Sequence, residues 1–189
     1  MSLYPTASQT VGPYLRIGFA WLTRSEVVPP GTRGERVVLS GRVLDGDGRP
    51  VSDALVEVWQ ADASGRYPLP DEPHKERASS GLLGFGRVPT DPAGAFRFTT
   101  VKPGRVPGPD GALQAPHLAV TIFMRGLLRP LLTRVYFPGE PSNGEDPILK
   151  LVDPSRRATL VARPGASGPS SLEWNVILQG ADETVFFDP

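Results

Sequence analysis

The chain has 189 residues, no cysteine, and 20 Lys plus Arg against 20 Asp plus Glu, so it is formally neutral at pH 7. That length suits one domain whose core needs no covalent staples, and balanced charge gives no electrostatic reason to expect nucleic acid or an anionic membrane as partner. The lack of cysteine removes disulfides, Cys–zinc sites and thiol nucleophiles together and fits the cytosol, while no apolar run approaches the ~20 residues of a membrane span.

The first residues, MSLYPTASQTVGPY, show neither the basic nor the apolar region of a secretory leader, and none is expected. Residues 1–35 carry Pro5, Pro13, Pro29 and Pro30 among several glycines. They read as an irregular arm with a short ordered piece at Leu15 to Trp21, an arm that either frays or lies across a partner subunit. From Arg36, the residues Val37, Leu39, Gly41 and Val43 alternate with their neighbours up to the hairpin signal Asp45-Gly46-Asp47-Gly48. Ala54 to Gln60 reads as a second strand antiparallel to the first, with Leu55, Glu57 and Trp59 opposite Val56 and Val58.

Residues 62–94 read as loop, including the charged run Asp71 to Arg77. The turn Asp91-Pro92-Ala93-Gly94 leads into a strand from Ala95 to Val101, and Pro103 to Pro116 is again loop. Leu118 to Met124 and Leu131 to Phe137 are the clearest strands, divided by Arg125-Gly126. Pro154 to Val161 predicts a short helix, Leu172 to Gln179 a strand, and Thr184 to Phe187 a last one. Short strands with many turns and little helix predict an all-β protein. The expected form is a β-sandwich of mixed sheets with long loops, residues 36–189 making the domain behind the N-terminal arm.

Ala54 to Tyr67 (ALVEVWQADASGRY) ends in a Gly-x-Tyr, and His117-Leu118-Ala119 follows later. A Gly-x-Tyr with a later His-x-His can hold a metal, because strand residues two apart leave the same face. Here Ala119 stands where the second histidine would be. No Gly-x-Ser-x-Gly elbow and no Gly-rich phosphate loop after a strand is present. Glu57 and Asp62 suit structural roles better than a carboxylate pair, and His74, in the charged loop, is expected to face solvent. Tyr4, Tyr14, Tyr136, Trp59 and Trp174 suit packing.

The run Gly41 to Tyr67 (GRVLDGDGRPVSDALVEVWQADASGRY) resembles the intradiol ring-cleavage dioxygenases. The likeness continues in order through Gly84-Phe85-Gly86-Arg87, Thr100-Val101-Lys102-Pro103-Gly104, Ala115-Pro116-His117 and Leu132 to Gly139 (LTRVYFPG). It implies a β-sandwich and a non-haem ferric iron enzyme that opens catechol-type rings between the two hydroxyls. The family holds Fe(III) with two tyrosines and two histidines, a donor set that suits a hard ion taking anionic oxygen and imidazole. By position these ligands fall on Tyr67, on Val106 of Gly104-Arg105-Val106-Pro107, on His117 and on Ala119. Two of the four are hydrocarbon, so the chain is expected to bind no metal and to carry no catalytic residue of its own.

Some members of the family combine two homologous chains, only one of which carries iron. Thr6 to Tyr14 (TASQTVGPY) and Glu183 to Phe187 (ETVFF) resemble the iron-free, alpha type. The resemblance implies an iron-bearing beta chain as partner, Fe(III) as cofactor of the complex, a small aromatic substrate with O2, and an oligomer of alpha–beta pairs in the cytoplasm. It also implies that the arm contacts the partner, with Thr10, Gly12, Pro13 and Tyr14 lining the pocket mouth. Gly12 would allow close backbone approach and Pro13 would stiffen it. Arg134, alternating with Leu132 and Tyr136, is expected either to hold a substrate carboxylate or to sit as a rim arginine. The rival expectations are a self-sufficient dioxygenase with atypical ligands and a non-enzymatic β-sandwich binding module.

Overall fold

Burial alternates residue by residue along the longest strands, the mark of sheets with one face on a core. The computed structural model describes residues 6–67, 84–108 and 111–188; His74 and the run Asp71 to Arg77 lie outside them. In chain order the strands are β1 (Arg36–Leu44), β2 (Leu55–Trp59), β3 (Phe85–Pro89) and β4 (Ala95–Val101), then β5 (Val106–Pro107), β6 (Leu113–Gln114), β7 (His117–Phe123) and β8 (Leu131–Tyr136). Three short ones follow: β9 (Arg163–Pro164), β10 (Ser171–Glu173) and β11 (Val176–Ile177).

β1 is the axis of a mixed sheet, antiparallel to β4 on one side and parallel to β10 and β11 on the other, with β9 beyond β10. The second sheet, in the order β3-β2-β7-β8, is antiparallel throughout. Val37, Leu39, Val43, Phe96, Phe98 and Trp174 of the first meet Val56, Val58, Leu118, Val120, Ile122 and Val135 of the second in one core. This is the mixed-sheet β-sandwich that the sequence predicts.

One pairing differs. The sequence joins β1 and β2 as a hairpin, whereas the structure puts them in different sheets. The Asp45–Gly48 turn does form, and Leu44 bridges Pro50, but the ladder stops there and the chain crosses over. The ladder's last bond is Val51 N to Val43 O at 2.9 Å, while β4 offers β1 an uninterrupted register from Arg36↔Val101 to Arg42↔Ala95. The same turn chemistry recurs at Asp62 and Asp91. Each aspartate Oδ1 accepts from the backbone N–H groups two and four residues on, at 2.8–3.0 Å. The glycine three residues on has φ of 75°, 79° and 71° at Gly48, Gly65 and Gly94, which other residues rarely adopt.

The segment expected as one strand from Leu172 to Gln179 is two, β10 and β11, interrupted at Trp174 and Asn175. A Cβ on Gly41 would lie 1.7 Å from the Trp174 carbonyl oxygen, so the backbones meet where only glycine fits. Asn175 Oδ1 accepts from Arg42 N at 3.0 Å in place of a backbone carbonyl. The helix expected at Pro154 to Val161 is a single 3-10 turn, Arg157–Leu160. A short helix lies earlier, at Pro147–Leu151, where Asp146 caps the N–H groups of Ile148 and Leu149. Thr184 to Phe187 runs beside β8 through one bridge, Leu132↔Phe187, and a hydrogen bond from Thr133 Oγ1 to Val185 O.

The arm is better ordered than its composition suggests. Helix α1 (Pro13–Phe19) runs into a 3-10 turn, Ala20–Leu22. Arg24 then bridges Arg87 of β3, Glu26 bridges Thr99 of β4, and Val27 and Val28 are fully buried. The arm thus straps the edges of both sheets. Arg87 holds its outer part, bonding Glu57 at 2.6 Å while its guanidinium lies 4.3 Å over the Phe19 ring. No helix among the described residues is long and apolar enough to cross a membrane.

Replacing Gly41 by alanine should cost at least about 2 kcal/mol, because backbone must move to admit the methyl. Gly144→Ala, where nothing lies within 4 Å of the added carbon, is the control. Urea midpoints that coincide for the two variants would show that the close approach is no constraint.

Candidate functional site

Residues directly opposite on antiparallel strands share a face. Phe85, Trp59, Ala119 and Arg134 are mutual partners across β3, β2, β7 and β8 and form one row on the outer face of that sheet. His117 and Tyr136 form the row two residues along. The alternation that sends Leu118 and Val120 into the core therefore turns His117 and Ala119 outward together.

Loops bring in the other two expected ligand positions. Gly104 N donates to Asp62 O at 2.8 Å, and a Cβ on Gly65 would come within 1.9 Å of Arg105 O. The loop bearing Tyr67 thus lies directly against the one leading to Val106. Tyr67 stacks on Trp59, the partner of Ala119, with ring planes 2° apart and centroids 6.1 Å apart. Val106 is buried opposite Gln114, and Gln114 Oε1 accepts a 2.5 Å hydrogen bond from Arg134. Tyr67, Val106, His117 and Ala119 therefore gather in one place, and Arg134 stands among them.

The protonation states follow from burial and that cation. His117 is 5 % exposed, and its Nδ1 lies 2.8 Å from the Ala115 carbonyl, which requires Nδ1–H as donor and leaves the lone pair on Nε2. Desolvation first, and the Arg134 charge second, hold its pKa below the usual 6.5, against weaker opposing pulls from the Ala115 hydrogen bond and Asp146. Burial raises the pKa of Tyr67, with Arg134 opposing. Tyr136 is fully buried, donates to Asp146 Oδ1 at 3.1 Å, and is pushed far above the ordinary tyrosine range by burial and by the Asp146 charge. Asp146 is itself fully buried, and its remaining oxygen accepts from Ala115 N at 2.7 Å.

Ferric iron does not fit this donor set. Tyr67 and His117 offer one phenol and one imidazole, while Val106 and Ala119 offer only hydrocarbon. Among the described residues no group of three or more His, Cys, Asp or Glu is arranged to hold a metal ion.

A second feature lies on the same sheet face, at the other end of β7. A cavity of about 500 Å³ opens between α1 and the sheet, lined by Gly12, Pro13, Arg16, Asp53, Phe123 and Arg125 among others. Phe123 is four residues from Ala119, about 13 Å along the strand. Gly126 N donates to Thr10 Oγ1 at 2.8 Å, which ties the start of the arm to this end, and Arg125 pairs with Asp53. Thr10, Gly12 and Pro13 are thus brought together; Tyr14, beside them in the chain, is 82 % exposed. Arg134 belongs to the other cluster. Arg125, read from sequence only as a divider between strands, is the arginine beside the arm. It lies in the turn that follows β7, where the strand's period of two no longer marks which way a side chain points.

Comparisons with known proteins agree with one another. The family model described as "Dioxygenase" matches residues 22–180. The protocatechuate 3,4-dioxygenase alpha chain of Burkholderia cepacia is 45% identical, over 99% of this chain and 98% of its own length. The beta chain from the same organism is 36% identical, over 86% of this chain and 72% of its own length. Among solved structures, the dioxygenase domain of a carbohydrate-binding fusion protein from Streptomyces sp. SirexAA-E superposes with a TM-score of 0.65 at 29% identity, covering 84% of this chain and 89% of that one.

Because the folded chain protonates His117 less readily than the unfolded chain does, this residue's contribution is full above about pH 6.5 and fades as pH falls below it. The melting temperature should drop between pH 7 and pH 5, and drop less steeply in His117→Asn. Parallel curves for the two proteins would show that His117 is not held neutral by its surroundings.

Proposed function

This chain belongs to the intradiol dioxygenase family, and from that we infer that it is the alpha subunit of a protocatechuate 3,4-dioxygenase. With its beta chain it converts 3,4-dihydroxybenzoate and O2 to 3-carboxy-cis,cis-muconate, opening the ring between the two hydroxyls. The observation that carries this is the near full-length match to an alpha chain, above the likeness to a beta chain. Fe(III) belongs to the complex and supplies its oxygen chemistry. We assign the ion to the beta chain, since Val106 and Ala119 leave this chain two donors short. A self-sufficient dioxygenase is disfavoured for the same reason, and a binding module without enzymatic role by the family itself.

In this scheme the present chain supplies an interface and one wall of the pocket. Residues 1–35 contact the partner, with Thr10, Gly12, Pro13 and Tyr14 at the pocket mouth and the complex working in the cytoplasm. The arginine that meets the substrate carboxylate is then Arg125, which shares the cavity with Gly12 and Pro13 and would exchange Asp53 for the substrate, in preference to Arg134, which does not line that cavity. A planar, permanently charged donor suits that task.

Co-expression with the beta chain tests the assignment. Iron and ring-cleavage activity should appear in the purified complex, with neither in this chain alone. Stoichiometric iron on the isolated chain, with the red colour of tyrosinate bound to Fe(III), would replace this function with the self-sufficient enzyme. In the complex, Arg125→Met should raise KM for the carboxylated substrate by roughly 10- to 100-fold, the worth of a hydrogen bond to a charged group. An unsubstituted catechol should be little affected. An equal loss on both substrates would remove Arg125 from carboxylate binding.

A further inference from the structure

Arg134 has a setting unlike that of a rim arginine. It is half-buried on β8, directly opposite the methyl of Ala119, and its resolved hydrogen-bond partner is an amide oxygen, Gln114 Oε1 at 2.5 Å. Among the described residues none of the ion pairs includes it. The surrounding groups are lone-pair donors. Tyr67 brings a phenol oxygen and Gln114 an amide oxygen. His117 brings an imidazole whose Nδ1–H is spent on Ala115 O, so that its Nε2 carries the free pair. Such a set is what a metal cation ordinarily satisfies. Here the nearby cation is the Arg134 guanidinium, whose charge acts on both Tyr67 and His117 and which carries five N–H donors that cannot be deprotonated.

Ala119 makes the arrangement sterically consistent. Directly paired strand residues place their Cβ atoms about 4.5–5.5 Å apart, so a ring at position 119 would compete with the guanidinium for the same space. Val106 contributes in the same way on the loop side, being buried against Gln114, the residue that holds Arg134.

We propose that Arg134 is a built-in cation standing in the place of the metal, which orders the surviving donors Tyr67 and His117 and keeps ferric iron out by occupancy and charge. This rests on assigning Tyr67, Val106, His117 and Ala119 to the family's ligand positions. Loss of two ligands is then only half of the change. Restoring both side chains does not restore the metal while the arginine stays.

The test uses the alpha–beta complex, in which the beta chain's own iron and ring cleavage report separately on the subunit assignment. Alpha chains carrying Val106→Tyr with Ala119→His, and the same pair with Arg134→Gln added, are co-expressed with the native beta chain. Iron is counted per alpha–beta pair, alongside the charge-transfer absorption of tyrosinate on Fe(III). The double variant should hold no second iron and the triple variant should hold one. A second iron in the double variant, or none in the triple, overturns the proposal. Should these variants fail to assemble, Arg134→Gln and Arg134→Lys in the native chain decide. The neutral residue should lower the melting temperature of the complex by roughly 3–6 °C, and lysine by less than half of that. Equal losses would mean that Arg134 acts through packing and not as a cation.

Discussion

The pleat of β7 is the constraint on which everything else depends. Leu118, Val120 and Ile122 point into the core between the sheets, so His117, Ala119, Thr121 and Phe123 must point out. Each buried aliphatic side chain is worth on the order of 1.5–3 kcal/mol, and a one-residue slip would exchange the two sets. Hydrophobic burial on one face thus sets the positions of polar groups on the other. The donor cluster and the arm cavity are two stations along a single strand, and neither can shift without the core.

Polar atoms gathered beside a hydrophobic core each need a partner. Here they find a connected set. Asp146 stands under Tyr136, Ala115 and the short helix Pro147–Leu151, and takes hydrogen bonds from all of them while fully buried. Ala115 in turn accepts from His117, and Gln114 links Arg134 to Pro107 beside Val106. Buried polar groups cost little once paired. The cluster is thus tied together through side chains and backbone between Pro107 and Asp146.

How much of this was legible in the sequence depends on whether the cause was local. β4, β7 and β8 could be read from alternation, and the Asp-x-x-Gly turns from residue type, because both are written within a few neighbours. The lack of a donor at Val106 and Ala119 was readable for the same reason: a valine and an alanine carry none, whatever surrounds them. The partner of β1 was not readable, since the turn at Asp45 reverses the chain without deciding which sheet receives it. The break at Trp174 is imposed by Gly41, far away in sequence. The arm looked irregular because its anchors, Arg87 and Thr99, belong to other elements. The position of Arg125 beside the arm was not readable, because it lies in the turn after β7, beyond the alternation of the strand.

The strap from Arg24 to Val28 divides the labour of the arm. The buried valines and the backbone stitches lie after residue 23, whereas the cavity wall, from Val11 to Ala20, lies before it and contributes no buried side chain to the sandwich. Mutations in that first stretch can therefore accumulate without eroding the fold. Substitutions there would reshape the cavity wall alone and leave the packing between the two sheets as it is.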